Sequence, residues 1–451
     1  MEATVKNRFM RMALTAVALL GLSAPAFALP QVPVEKFQPS QACGCHSALL
    51  EQWSRSMHAK AMSDPIYLLK RDEANKASNG ALGPFCDGCH GPVAIMGGQA
   101  KDMSKAAVQA QEGINCDFCH QVTGTGAPIG NVSQLITPDG VKRAQFDDAR
   151  SPVHDSAYSA FHESAEFCGS CHNVDHPGNG MHLEATYTEW KEGPYAALGT
   201  TCQDCHMTPG PGETMPNAGT AAAGGPQRQH IFTMTFAGGN VALGDADLAE
   251  ERLKGAATME VQVPEIVEVG SSADVVVTIT NSGAGHMLPT GLTEVRQMWL
   301  EVTAEQEDGT SVTIGRHEFG SVLKDAEGNS PVELWEATGF AKDDRIPPKE
   351  SSIDTFAFQM PLSGAAKIKA ALYYRSCDET MAAKAGVDVP TTTMVESIVP
   401  VYASEKQRSE ALRAERSADG ESRSPLLLLA LGGLILVLVS ATVMVVRSRR
   451  A

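Results

Sequence analysis

Apolar and polar positions alternate in different ways along the chain, and the changes mark out its parts. Near the start, Lys6, Arg8 and Arg11 surround and precede an apolar run from Met12 to Leu22, followed by Ala26-Phe27-Ala28. A basic start, a short apolar core and a small-residue cleavage site predict a signal peptide over residues 1–28. Over 29–250, short helical signals are broken by connections such as Gly178-Asn179-Gly180 and Pro209-Gly210-Pro211-Gly212, and Ala218 to Gly225 reads as a flexible loop. Over 256–402 the pattern turns to strands. Val275-Val276-Val277-Thr278-Ile279, Met298 to Thr303, Ile353 to Phe358 and Ile368 to Tyr374 are β-rich runs separated by turns such as Glu307-Asp308-Gly309 and Glu327-Gly328-Asn329. Several short strands with turn signals predict an antiparallel β-sandwich of immunoglobulin-like size. Residues 403–424, rich in Lys, Arg, Glu and Ser, read as a linker that is partly helical or disordered.

The last pattern is an uncharged run. Pro425 to Val446 holds 22 residues without a charge, and Arg447, Arg449 and Arg450 follow. As a helix it would cover about 33 Å, enough for a hydrocarbon core of about 30 Å. It predicts one C-terminal transmembrane helix over 425–446, with a cytoplasmic tail at 447–451 and the body outside the cytoplasmic membrane. The expected fold class is therefore α+β multidomain: a helix- and loop-rich domain, a β-sandwich and one C-terminal span. The expected location is the cell membrane, single-pass, with both domains on the periplasmic or extracytoplasmic side.

Composition adds bounds. At 451 residues, 43% hydrophobic and 20% charged, the chain is long enough for two or three domains with real cores. A formal net charge of −17 argues against nucleic-acid binding, which draws on surplus Lys and Arg.

The eleven cysteines carry the chemistry. Four runs match Cys-x-x-Cys-His: Cys86 to His90, Cys116 to His120, Cys168 to His172 and Cys202 to His206. Two thiols at that spacing add across the vinyl groups of a haem, and the adjoining histidine sits under the ring and ligates iron. Zinc also uses Cys and His, but does not explain a histidine directly after each second cysteine. The pairs Cys86/Cys89, Cys116/Cys119, Cys168/Cys171 and Cys202/Cys205 are thus expected thioethers, with His90, His120, His172 and His206 as proximal ligands. A fifth site, Cys43-Gly44-Cys45-His46, has one residue between its cysteines. Either Cys43 and Cys45 both bind a haem across a shortened loop, or Cys45 alone does; His46 is the proximal ligand in both cases. The expected cofactor is haem c, five in number. Cys377 is left over, as a buried thiol or as a partner for Cys43.

Eight of the thirteen histidines lie outside these motifs: His58, His154, His162, His176, His182, His230, His286 and His317. That is enough for every haem to be bis-histidine, an arrangement suited to electron transfer. Met57 and Met207 are alternative sixth ligands.

The motifs, with Trp53, Ser56-Met57-His58-Ala59, Glu184-Ala185-Thr186-Tyr187-Thr188-Glu189-Trp190 and Gln229-His230-Ile231-Phe232, make residues 40–235 resemble the multihaem cytochromes c of the c-552/c-554 type. That group includes the nitrifiers' tetrahaem electron carrier and is related to octahaem hydroxylamine oxidoreductase. Gly285-His286-Met287-Leu288-Pro289-Thr290-Gly291 also looks like a recurring element of large multihaem cytochromes. The resemblance implies His58, His154, His162, His230 and His286 as distal ligands, with His176, His182 and His317 as spares. The chain departs from the pattern in the Cys43-Gly44-Cys45 spacing and the C-terminal span, and it has no Cys-x-x-Cys-Lys motif. The expected function is electron transfer between redox partners, basic or membrane-bound, through bis-histidine haems. The alternative is a multihaem oxidoreductase acting on a small nitrogen or sulfur compound at a haem with an open sixth position. No residue is assigned a catalytic role.

Overall fold

The computed structural model describes residues 29–210 and 216–422. The expected signal peptide and the 425–446 span lie outside the described residues.

The amino-terminal half is built from short helices, as its broken apolar pattern requires. Helices of five residues such as Cys116–His120 and Cys202–His206 do not hold themselves together in water and depend on end-capping and packing. Asn115 accepts from the Phe118 N–H at 2.8 Å. Thr201 and Asp204 form a reciprocal capping box around the last attachment helix. Asp64 caps the longer helix Pro65–Ala77 through the Ile66 N–H at 2.8 Å. The apolar content is concentrated in one small core. Leu29, Val32, Val34 and Phe37 of the leading segment cover Val93, Ala94, Met96, Ala110, Phe118 and Val122.

The helix Ala246–Ala256 runs directly into the first strand of a sandwich. One sheet has three strands in the order Ser351–Gln359, Ser272–Asn281, Ala257–Gln262. The other has four, in the order Ser311–Phe319, Gln297–Gln306, Ala365–Arg375, Thr392–Tyr402. All these pairings are antiparallel. Successive side chains point to opposite faces, so Val275, Val277 and Ile279 meet Met298, Leu300, Val302, Ile368 and Leu372 in one core. The Glu307-Asp308-Gly309 turn joins two strands, with Gly309 at φ 83°. The segment after the sandwich forms a helix, Glu405–Ser422.

The two halves are bonded to each other. Ile66 packs with Val295, Cys377 and Ala382 in a mixed apolar cluster, which accounts for the eleventh cysteine as a buried thiol. No two of the described cysteines form a disulfide. Lys70 pairs with Glu333 at 2.6 Å, and Asn179 donates to the Ala337 carbonyl at 2.8 Å. Arg345 of the sandwich reaches Glu189 of the helix Thr186–Glu192.

Candidate haem sites

All five motif histidines share one arrangement. The Nδ1–H donates to the Ala221 carbonyl from His46 (2.8 Å), to Ala61 from His90 (3.1 Å), to Arg143 from His120 (2.7 Å) and to Ala237 from His206 (2.8 Å). His172 donates instead to the Glu184 carboxylate at 3.2 Å. A carbonyl can only accept, so the four rings bonded to one carry a proton on Nδ1 and leave the Nε2 lone pair for a metal. Burial lowers His90 and His120, and takes His206 down to about 4, favouring the neutral ring that coordinates iron. His172 is the exception. Burial opposes its charge, but Glu184 outweighs it and pushes the ring up to about 9.

Four motif histidines face a second histidine. Ring centres lie 6.3 Å apart for His46 and His154, 6.3 Å for His58 and His172, 6.0 Å for His120 and His162, and 6.2 Å for His206 and His286. With metal–nitrogen bonds of about 2 Å and roughly 1 Å from nitrogen to ring centre, two imidazoles on opposite sides of one metal sit about 6 Å apart. The spacing fits an iron between each pair. His286 donates from Nδ1 to the Met287 carbonyl at 2.8 Å; His162 has its Nδ1 2.9 Å from the Ser159 hydroxyl and its Nε2 3.0 Å from the Cys119 carbonyl, a contact that nitrogen would give up to meet an iron. Burial carries His58 down to about 3 and His162 to about 4.

Two expectations fare differently. His90 meets no second imidazole among the described residues; Tyr67 lies flat on its ring at 3.6 Å and 7°. His230 is not brought to any motif histidine. Its Nδ1 accepts the Asn217 N–H at 3.2 Å, which puts the ring proton on a buried, unpartnered Nε2, and its edge meets Phe232. A protonated Nε2 has no lone pair to donate, so His230, like His162, would have to give up its present hydrogen bonding to ligate a metal, and unlike His162 it faces no motif histidine among the described residues. The spares are held elsewhere: His176 against the Trp335 carbonyl, His182 against Asp175, and His317 between Asp344 and Asp354.

Six of the cysteines hydrogen-bond across motifs. The thiols of Cys43 and Cys116, Cys89 and Cys171, and Cys168 and Cys202 meet pairwise. Cys43 therefore does not reach Cys377. Attachment sites one and three, two and four, and four and five are neighbours, and the field of Cys119 at Cys168 links three to four. Cys45 is exposed and Cys86 half-buried. Cys202 and Cys205, the expected thioether pair of the last motif, have different neighbours. Cys202 turns to Cys168, while Cys205 sits half-buried with its carbonyl accepting from the Thr208 hydroxyl at 3.1 Å and its sulfur within electrostatic reach of Arg252. Three residues apart on the short helix Cys202–His206, the two side chains lie on one face of the helix, as attachment to a single haem requires.

Sequence reasoning missed the residues between the motif cysteines. Asp87 is buried under Tyr67 (2.7 Å) and Arg71 (2.6 Å), and Asp117 is buried under Lys142 and the Gln38 N–H. Gln203 donates to the carbonyls of His162 and Ser164. Gly169 lies against the Tyr187 ring, where a Cβ would approach Cδ2 to 2.5 Å. Glu184 and Glu294 were missed too. Burial pushes Glu294 up to about 7; its Oε1 has no hydrogen-bond partner, and the charges of Arg296, Lys70 and Glu184 reach it. Glu184 in turn interacts with His90.

Residues 42–121 match the family model for cytochrome c554 and c-prime. No curated protein matches the chain. Among solved structures, a penta-heme cytochrome c552 from Thermochromatium tepidum is similar over 82% of this chain and 100% of its own, at 22% identity and a TM-score of 0.63. The CARDB domain of a Pyrococcus furiosus protein, solved with di-metal ions, aligns with 32% of this chain and 85% of its own at 18% identity, but with a TM-score of 0.19.

Proposed function

We propose that the chain is a multihaem cytochrome c that binds haem c, and that it is an exported, membrane-tethered pentahaem carrier passing electrons between redox partners; the family match over residues 42–121 and the fold shared with a penta-heme cytochrome c552 support the first part. The observation that carries this reading is the set of four facing histidine pairs. Bound haem supplies a one-electron ferric–ferrous couple. The chain's own residues do the rest. The four imidazole pairs would each hold a haem iron between them and leave no side open to substrate, and the Nδ1 acceptors of the motif histidines hold those rings in place, which suits electron transfer without bond making. The sulfur contacts support a continuous series through sites one, three, four and five, with site two beside four.

The acidity of the chain favours basic partners and encounter rates that fall with salt. The uncharged run 425–446 is the proposed anchor, reached through the helix Glu405–Ser422. Two measurements test the proposal on the mature protein. Intact mass should exceed the polypeptide by five haem masses, and oxidation by a basic soluble redox protein should slow as ionic strength rises. A smaller mass excess removes the pentahaem count, and a salt-independent rate removes the basic partner.

A second reading is favoured by His90, which lacks a facing imidazole among the described residues. We propose that the electrons converge on this site, where a small nitrogen or sulfur compound takes the sixth position. The expected signature is one high-spin haem that binds cyanide or carbon monoxide. An entirely low-spin spectrum with no such binding overturns this second reading and leaves the carrier.

A further inference from the structure

The loop that presents His286 belongs to the sandwich, yet one of its main polar attachments comes from the other domain. Glu189, on the helix Thr186–Glu192, accepts from the Met287 N–H at 3.2 Å and from the Thr290 hydroxyl at 2.5 Å. Its other oxygen accepts from Arg345, whose guanidinium also holds Asp343 through two bonds of 2.8 Å. The Glu189 side chain is 6% exposed and that of Arg345 11%, so this pair is shielded from water and from salt. Thr186 adds a hydroxyl contact to Thr290 at 2.8 Å.

The Met287 backbone connects this carboxylate to the imidazole. Its N–H is bound by Glu189 and its carbonyl accepts the His286 Nδ1–H at 2.8 Å. On the sandwich side, Asn281 donates to the His286 carbonyl at 2.8 Å, so the peptide joining His286 to Met287 is gripped from opposite domains. Packing contributes less on one flank. A cavity of about 380 Å³ adjoins the network, lined among others by Thr188, Glu192, Met287, Phe340 and Pro347. The loop there has room to move once its polar bonds are cut.

We propose that Glu189 is the positioning residue for the distal ligand His286. Its carboxylate, through the Met287 backbone, fixes the imidazole opposite His206 and ties ligation at that haem to docking of the sandwich. This inference rests on the reading that His206 and His286 ligate one haem. A structural ion pair without that role would lower stability and leave each haem as it was.

The test uses the full-length holoprotein with three substitutions, Glu189→Ala, Glu189→Gln and His286→Ala, read by low-temperature EPR, imidazole binding and redox titration. Glu189→Ala should convert one haem from low-spin to a mixture containing high-spin iron, restored by added imidazole, while the other haems keep their spectra. Glu189→Gln retains a carbonyl acceptor but loses the charge that holds Arg345, so it should give a smaller conversion at the same haem and remain foldable. His286→Ala should abolish low-spin ligation there. If both Glu189 variants match the parent at every haem while His286→Ala does not, the positioning role is wrong and the ligand assignment stands. If His286→Ala also matches the parent, the ligand assignment itself has failed.

Discussion

Replacing Glu184 by Gln keeps the shape of the hydrogen bond to His172 and removes one negative charge. Burial would raise the Glu184 carboxyl, but His172 and Arg296 outweigh that and hold it below its ordinary value, so the charge is present at neutral pH. Its Oε1 lies 3.2 Å from His172 Nδ1. Crossing the ring and one metal–nitrogen bond puts the carboxylate about 7 Å from the iron; at an effective dielectric of about 20 the interaction of unit charges is then about 2.4 kcal/mol. A one-electron couple changes tenfold per 59 mV, so the corresponding shift is about 100 mV, and about half that if solvent screening doubles the dielectric. The sign follows from oxidation adding positive charge to the iron: without the anion the ferric form loses stabilisation and the midpoint potential rises. Spectroelectrochemical titration of parent and Glu184→Gln should show one haem displaced upward by about 50–100 mV, with a smaller displacement at the site of His90. If no midpoint rises by more than about 20 mV, the charge is not coupled to an iron on this geometry.

Other perturbations test separate parts of the account. Burial raises Glu294 to about 7 from an unfolded value near 4.5, so the folded chain binds the extra proton between those limits. Stability should therefore fall, by about 3 kcal/mol in all, as pH rises from 4.5 through 7, and Glu294→Gln should flatten that slope in denaturant titrations. His230→Ala should leave every haem spectrum unchanged, whereas His154→Ala should turn the haem of His46 high-spin; the reverse result would exchange their roles. Leu300 is fully buried between the sheets, and Leu300→Ala should cost about 2–5 kcal/mol in chemical unfolding of the sandwich, with little effect if that core is not the one holding the domain.

What could be read from the sequence divides by the range of the interaction. Haem attachment needs two thiols and a histidine in contiguous chain, so Cys202 to His206 announces itself. Strands do so through alternation, and Val275 to Ile279 lies within Ser272–Asn281. Facing partners are set by tertiary contacts between distant residues, and no local pattern tells which histidine arrives opposite which. The same holds for the thiols: the motif marks Cys202 and Cys205 alike, but only the folded chain sets Cys168 beside the first and Arg252 near the second. His230 and His286 differ in what they face and in how they are held: His286 stands opposite His206 and donates to its neighbour's carbonyl, while His230 meets Phe232 and takes a backbone N–H from Asn217 at Nδ1. Glu189 and Arg345 were invisible for the same reason. Nothing near either residue signals that they meet across the domain boundary. The linker, left open between helix and disorder, forms a helix over Glu405–Ser422.

His206 and His286 stand on opposite sides of that boundary, which makes the order of synthesis matter. The Cys202–His206 segment leaves the ribosome well before the strands that frame the His286 loop. On the ligation proposed here, a haem held at that segment would lack its second histidine until the sandwich has been made and has docked. Coordination then closes a ring of roughly 80 residues and, like a cross-link, restricts the unfolded chain far more than the folded one. The final bond thus acts as an assembly checkpoint: a chain truncated before residue 286 would carry its haems and still be chemically distinguishable from a finished molecule.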